Sequence, residues 1–179
     1  MKSKAEIRQN VINLLKNFDI DEKKRQTGEI LTDLTQSKIW QKSHKIALYM
    51  PMTMEFDLRK LFDSSVKNDK MKKKEILIPK TLSNHQMIFV KYDSADLERS
   101  DFGMLEPKNC QEEIPDLIVV PGLAWNEVGF RIGFGGGYYD RYLSHFSGAT
   151  VSVAYDFQRI DFVNEAHDKA VQQVFTGRK

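Results

Sequence analysis

The clearest chemical signal in this chain is a cluster of glycines. Four of its ten glycines lie within the five-residue segment 133–137. A backbone without Cβ atoms adopts positive φ angles and can direct several N–H groups toward one anion. Apolar spacing over residues 139–146 predicts a helix directly after the glycines, and a helix N-terminus attracts phosphate. Arg131, just before the cluster, adds a planar cation that suits phosphate oxygens.

This glycine segment matches neither of the common phosphate-binding fingerprints. A Walker loop requires Gly-Lys-Ser/Thr, but Gly137 is followed by Tyr138. A dinucleotide-binding fingerprint requires a glycine where Tyr138 stands, and a strand that runs directly into the loop. From the residues alone, two interpretations therefore remain: an anion-binding loop of unassigned type, and a turn whose glycines are structural.

The elements around the loop alternate between helical and strand patterns. Apolar spacing over 7–18 predicts a first helix, a second is expected to run to about Trp40, and a third spans 58–66. Short apolar runs predict strands at 45–50, 76–78, 87–90, 117–120, 150–154 and 171–175.

This alternation predicts an α/β protein. We expect one domain over residues 1–179, a three-layer α/β/α sandwich with a largely parallel, mixed central sheet of Rossmann-like type. Ligands of such folds bind beyond the carboxyl ends of the strands, which here are the segments after Met50 and Val120.

Composition limits the classes of partner. The chain has 27 basic and 25 acidic residues, a net charge of +2, and so little long-range field to attract nucleic acid. The one dense basic run, 67–74, lacks interleaved aromatic residues and is interpreted as a solvated helix end. Cys110 is the only cysteine, and no apolar run has the length of a membrane helix. We expect a cytoplasmic protein without nucleic-acid or membrane partners.

One long stretch of the sequence is similar to a known family. Residues 116–143 read DLIVVPGLAWNEVGFRIGFGGGYYDRYL, and with Lys4, Arg8 and segments 50–57, 102–107 and 167–168 they resemble the 5-formyltetrahydrofolate cyclo-ligase family. The resemblance implies ATP- and Mg²⁺-dependent closure of 5-formyltetrahydrofolate to 5,10-methenyltetrahydrofolate. ADP and phosphate are released, and a phosphorylated formyl group is the intermediate. Small-molecule substrates and a monomer or weak dimer are expected.

The resemblance also assigns roles to individual residues. The catalytic residues are Arg131 and Tyr139. ATP is expected to contact Lys4, Arg8, Arg131, Ile132, Gly133, Phe134, Gly135, Gly136, Gly137, Tyr138 and Tyr139. The folate is expected to contact Met50, Glu55, Phe134, Gly135, Gly136, Gly137 and Tyr138, and Mg²⁺ to bind Asp140 and Asp168. Met52 and Met54 are interpreted as core filling.

This chain departs from the family pattern inside the loop. Some members carry basic residues where this chain has Phe134 and Gly136, which leaves Arg131, Lys4 and Arg8 as candidates to face the transferred phosphoryl group. Two other classes remain as alternatives. One is a phosphate-binding enzyme of similar fold, such as a sugar-phosphate isomerase, and the other is a nucleic-acid-binding module that uses residues 67–74.

Overall fold

The computed structural model describes residues 2–64 and 74–178. The helices are α1 (Lys4–Lys16), α2 (Ile20–Gln36), α3 (Lys38–Lys42), α4 (Arg59–Ser64) and α5 (Tyr138–Leu143). The strands are β1 (Lys45–Ala47), β2 (Glu75–Thr81), β3 (Met87–Lys91), β4 (Leu97–Arg99), β5 (Leu105–Pro107), β6 (Leu117–Val119), β7 (Ala124–Trp125), β8 (Arg131–Ile132), β9 (Ala149–Ala154) and β10 (Gln173–Thr176). Short 3₁₀ turns occupy Ser83–His85 and Asp156–Gln158.

Six strands form the central sheet in the order β10-β9-β6-β1-β2-β3. All neighbours are parallel except β2 and β3, which are antiparallel, so β3 is an edge strand that runs against the others. The central strands β1 and β6 pair through Ile46 with Leu117. Their carboxyl ends therefore lie side by side at one edge, where the segments after Met50 and Val120 begin.

Helices cover both faces of this sheet. On one face α1 buries a stripe of Ile7, Val11 and Leu15, and it begins with a capping box between Ser3 and Glu6. Helices α2, α3 and α4 pack into the same core cluster. On the opposite face α5 packs Leu143 into a second cluster with Trp125 and Val171. The side chains of successive strand residues alternate between these two clusters, as the pleat of a strand requires.

The predicted α/β fold with a mixed, mostly parallel sheet is confirmed, and several element boundaries differ. The second helix ends at Gln36 and not at Trp40, because Ser37 is extended and its side chain caps the short α3. Strand β2 continues past Pro79, which faces Phe89 of the edge strand. The two-stranded pairs β4-β5 and β7-β8 were not predicted, since strands of two or three residues carry too few positions to show a period.

The remaining sequence predictions concern the basic run, the end of the helix over 58–66 and membrane helices. Residues 67–73 of the basic run lie outside the described residues, as does Val66, where the helix over 58–66 was expected to end. In the described ranges 2–64 and 74–178, none of the helices combines the length and hydropathy that crossing a bilayer requires.

Candidate functional site

The glycine loop joins a small hairpin to α5. Strands β7 and β8 are antiparallel, and the loop 133–137 leaves β8 and enters α5 directly, so the predicted order of glycines and helix is confirmed. Gly135 has a φ of +102° and Gly137 a φ of +70°, angles that other residues rarely adopt. A Cβ atom at Gly133 or Gly135 would have no neighbour within 4 Å, so this backbone borders open space.

Helix α1 brings one cation to the loop and another to the segment that carries Asp168. Arg8 Nε donates a hydrogen bond to the carbonyl oxygen of Gly133 at 2.8 Å. One turn earlier, Lys4 Nζ lies 2.8 Å from Asp168 Oδ2 and 3.4 Å from Glu165 Oε1. The i, i+4 spacing thus places both half-buried cations on the helix face that the loop approaches.

Arg131 is buried, and its side chain is only 4% exposed. Its Nη2 lies 3.2 Å from Asp140 Oδ1, and its Nη1 donates to the carbonyl oxygen of Lys169 at 3.0 Å. Burial lowers the pKa of this guanidinium, and the carboxylate of Asp140 opposes the shift. The cation therefore lies under the loop with both terminal nitrogens engaged.

Asp140 and Asp168, the predicted metal ligands, lie on neighbouring segments. Asp140 Oδ1 accepts a hydrogen bond from Lys169 N at 3.1 Å, which ties α5 to the residue after Asp168. Burial acts to raise the pKa of Asp168, but hydrogen bonds from the Glu165 backbone and from Lys4 outweigh it and the pKa is lowered. Potential ligand atoms of Glu165, His167 and Asp168 lie within 4.8 Å of one another.

Glu55 lies in the segment after β1, and its charge acts on Tyr139 of α5. The side chain of Glu55 is buried, and burial raises its pKa to about 6, although Met52 N donates a hydrogen bond to Oε2 at 2.8 Å. Burial and the charge of Glu55 also raise the pKa of Tyr139, which Arg131 opposes. Tyr139 is therefore protonated at neutral pH and can donate a hydrogen bond. Tyr139 belongs to α5, directly after the glycine loop, and its ring packs on the second core cluster, 6.4 Å from the ring of Phe89.

Comparisons with known proteins identify the family of this chain. The sequence model described as the 5-formyltetrahydrofolate cyclo-ligase family matches residues 1–177. The chain belongs to the 5-formyltetrahydrofolate cyclo-ligase family. A probable 5-formyltetrahydrofolate cyclo-ligase of Caenorhabditis elegans is 31% identical over 79% of this chain and 72% of that protein. A probable 5-formyltetrahydrofolate cyclo-ligase of Schizosaccharomyces pombe is 32% identical over 68% of this chain, and the match spans only 62% of that protein.

A solved structure supports the same fold. The structure of 5,10-methenyltetrahydrofolate synthetase from Aquifex aeolicus is 33% identical to this chain and superposes with a TM-score of 0.83. The superposition covers 97% of this chain and 89% of that one. The resemblance to the cyclo-ligase family inferred from the glycine loop is therefore confirmed over nearly the whole chain.

The candidate site includes a contact that the sequence did not indicate. His85, in the turn between β2 and β3, lies with Nδ1 3.1 Å from the carbonyl oxygen of Gly136. Its ring centroid is 5.4 Å from that of Tyr138. Asn84 and His85 both have positive φ angles, an uncommon backbone conformation for non-glycine residues. A lone histidine in a turn has no spacing that could have revealed this role.

The remaining predicted residues lie around the same edge of the sheet. Met50 is half-buried and packs against the core, as does Met54. Phe134, Gly135 and Gly136 are exposed. A cavity of about 770 Å³ lies elsewhere, beside α5 and β3, and none of the predicted site residues lines it.

Proposed function

We propose that this protein is an ATP- and Mg²⁺-dependent 5-formyltetrahydrofolate cyclo-ligase. Family membership supports the reaction class. The observation that carries the proposal for this chain is that the charges of Arg131 and Glu55, which belong to two unlike walls, both act on Tyr139 just after the glycine loop. One wall consists of glycine backbone with cations, and the other is a buried carboxylate in apolar surroundings. A polyanion and a flat ring with a donor edge are the ligands that these walls suit.

ATP is assigned to the wall formed by α1 and the glycine loop. Open backbone at Gly133 and Gly135 allows close approach of phosphate oxygens. Arg8 reaches the loop through Gly133, and Lys4 lies one helical turn away. The segment 134–139 completes the proposed contact surface, with the side chain of Arg131 beneath it. Ile132, also predicted to contact ATP, is 1% exposed and packs in the first core cluster, so its side chain is not part of that surface.

The folate is assigned to the wall that contains Met50 and Glu55. A buried carboxylate is costly unless a ligand donates hydrogen bonds to it, and the donor edge of a pterin ring does so. Met50 and Tyr138 offer apolar and aromatic surface for the ring faces. Residues 134–137 are proposed to contact the folate as well as ATP, as the family resemblance implies.

The residues present fit a magnesium ion. Mg²⁺ binds through one or two carboxylates together with substrate phosphates and water, and Asp140 and Asp168 supply carboxylates on adjacent segments. Glu165 offers a further carboxylate beside Asp168. When bound, the ion would neutralise charge on the phosphates of ATP. Lys4 already pairs with Asp168, so the Lys4 ammonium group would also neutralise phosphate charge beside the ion.

The proposed reaction has two steps. The formyl oxygen of the folate attacks the γ-phosphorus of ATP, and ADP leaves. The folate N10 then forms a bond to the activated formyl carbon, the N10 proton passes to water, and phosphate departs with the former formyl oxygen. Protein groups position the two substrates and neutralise charge, and none of them forms a covalent bond. Tyr139, kept protonated, donates a hydrogen bond to an oxygen at the reacting centre.

The partners proposed are small molecules only. Residues 67–73, on which the nucleic-acid alternative depends, lie outside the described residues, so that alternative has no structural support. A cytoplasmic monomer or weak dimer stays a prediction. The sugar-phosphate isomerase alternative requires a phosphate site but no ATP, and no feature of the folate wall favours it.

The test is an absorbance assay for 5,10-methenyltetrahydrofolate with purified protein, 5-formyltetrahydrofolate and Mg–ATP. We expect product only when ATP and Mg²⁺ are both present, so omission of each is the control. Folded protein that binds ATP but makes no product would contradict the folate assignment. Binding of inorganic phosphate without binding of ATP would favour the isomerase-like alternative.

A further inference from the structure

Arg131 joins three segments that build the proposed site. It stands in β8, at the start of the glycine loop. Its two terminal nitrogens contact Asp140 in α5 and the carbonyl oxygen of Lys169. The N–H group of Lys169 closes the network by donating to Asp140 Oδ1. Arg131, Asp140 and the Lys169 backbone therefore form one closed set of contacts, which we call the Arg131 network.

The surroundings of Arg131 do not suit a direct phosphate ligand. Its side chain is 4% exposed, while that of Asp140 is 27% exposed. A carboxylate and a carbonyl group already engage two of its five N–H donors, and its burial leaves a phosphate little access to the others. Arg8 contacts the loop itself at Gly133, and the side chain of Lys4, which pairs with Asp168, is 21% exposed, so both cations are more accessible to a phosphate than Arg131. The buried cation is thus better placed to orient other groups than to bind the nucleotide.

We propose that Arg131 is a positioning residue that sets the spacing between Asp140 and Asp168. This inference rests on the proposed function, in which these two aspartates hold Mg²⁺. Asp168 immediately precedes Lys169, so fixing the Lys169 backbone against Asp140 fixes the second carboxylate as well. Groups that orient metal ligands affect metal affinity by ~10–100-fold when they are removed.

The backbone next to the network strengthens this role. Val171 N donates to the carbonyl oxygen of Gly129 at 2.9 Å, so residues 169–171 lie along the hairpin that carries Arg131. Gly129 has a φ of +94°, and a Cβ atom there would collide with the Val171 carbonyl oxygen. Asp168 in turn pairs with Lys4 of α1. Movement of Arg131 would therefore be transmitted to each ligand-bearing segment.

The experiment measures ATP affinity by titration calorimetry, once in EDTA and once with saturating Mg²⁺. Arg131→Met removes the buried cation, and Arg8→Met is the matched control because Arg8 is proposed to face the phosphates. For Arg131→Met we expect nearly unchanged affinity in EDTA and a ~10–100-fold loss with Mg²⁺. For Arg8→Met we expect a loss in both conditions. Arg131→Lys keeps the positive charge and one donor nitrogen, and it should restore part of the Mg²⁺-dependent ATP affinity.

Two results would overturn the proposal. A loss in EDTA equal to that of Arg8→Met would make Arg131 a phosphate ligand, and unchanged affinity in both conditions would make it structural only. If Mg²⁺ does not raise the ATP affinity of the parent protein, the magnesium dependence in the proposed function is contradicted. Urea unfolding of Arg131→Met, Asp140→Asn and the double variant then still tests the network. A double variant whose loss of unfolding free energy differs strongly from the sum of the two single losses would support the Arg131 network. Simple additivity of the two losses would reject the network.

Discussion

The two walls of the site use opposite physical strategies. The glycine-loop wall exposes backbone and brings cations to it, and the described loop contacts are hydrogen bonds and ion pairs. The wall with Glu55 buries one carboxylate whose 8% exposure leaves it little water. The cations attract a polyanion to the first wall. At the second wall the carboxylate has lost water, so a ligand that donates hydrogen bonds to it binds favourably. A single site with two such walls suits two different substrates that meet at their boundary.

The largest effect is expected on the loop side, at Asp140. Asp140→Asn should lower turnover by on the order of 10²–10³-fold, because a neutral amide would hold Mg²⁺ less well and less of the charge on the transferred phosphoryl group would be neutralised. The measurement is the steady-state rate at saturating substrates. Asp140→Ala is the informative second variant, since it leaves the buried Arg131 without its carboxylate and should also reduce the free energy of unfolding by ~3 kcal/mol. Full activity in Asp140→Asn would remove this residue from the metal site.

The next effect separates the two walls. Glu55→Gln should weaken folate binding by ~10–100-fold, because a charged acceptor for the pterin edge is replaced by a neutral one. ATP binding should be nearly unchanged. Calorimetric titration of each ligand separately tests this selectivity, and equal losses for ATP and folate would mean that the two walls are not specialised.

Within the loop, two glycines provide a matched pair. Gly135→Ala places a Cβ at a φ of +102° and should reduce ATP affinity by ~10-fold, since backbone strain of 1–3 kcal/mol shifts the loop. Gly133→Ala is the matched comparison: it also adds a methyl group to the open backbone of the ATP wall, but its φ is not positive, so the difference between the two variants isolates the backbone strain. Calorimetric ATP titration compares them. Equal affinities for the two variants would show that the loop conformation does not matter for ATP.

The smallest effect concerns stability and pH on the folate side. Glu55 has its pKa raised from 4.5 to about 6 by burial, so the native state retains this proton over that interval and the unfolded state does not. The contribution of Glu55 to the free energy of unfolding is therefore fully present below about pH 4.5, and it is lost as the pH rises through about 6. Relative to the parent, Glu55→Gln should gain ~1–2 kcal/mol of unfolding free energy between acidic and neutral pH. Urea unfolding at both pH values tests this, and a constant difference would contradict the burial argument.

Local patterns predicted the scaffold well. The apolar stripe of α1 and the continuous apolar run 117–119 report burial directly, and the glycine cluster indicated a loop that enters a helix. These features depend on neighbours a few positions apart, which a sequence displays. The break at Ser37 was missed because one side-chain cap outweighed an otherwise helical pattern.

Long-range pairings within the site were beyond the reach of the sequence. Lys4 and Asp168 are 164 positions apart, yet they form an ion pair at 2.8 Å. Arg131 looked like a phosphate cation from its residue type, and only the fold reveals that Asp140 and Lys169 enclose it. His85 reaches the loop because β2 and β3 form a hairpin beside α5. Such contacts follow from topology and not from periodicity.

The most direct test of the central claim follows one oxygen atom between the two walls. 5-Formyltetrahydrofolate labelled with ¹⁸O in the formyl group is converted with unlabelled Mg–ATP, and the released phosphate is analysed by mass spectrometry. If the formyl oxygen attacks the γ-phosphorus, the released phosphate carries the label. Unlabelled phosphate together with ¹⁸O in water would contradict a phosphorylated formyl intermediate, and the two walls would then not bring the substrates into direct reaction.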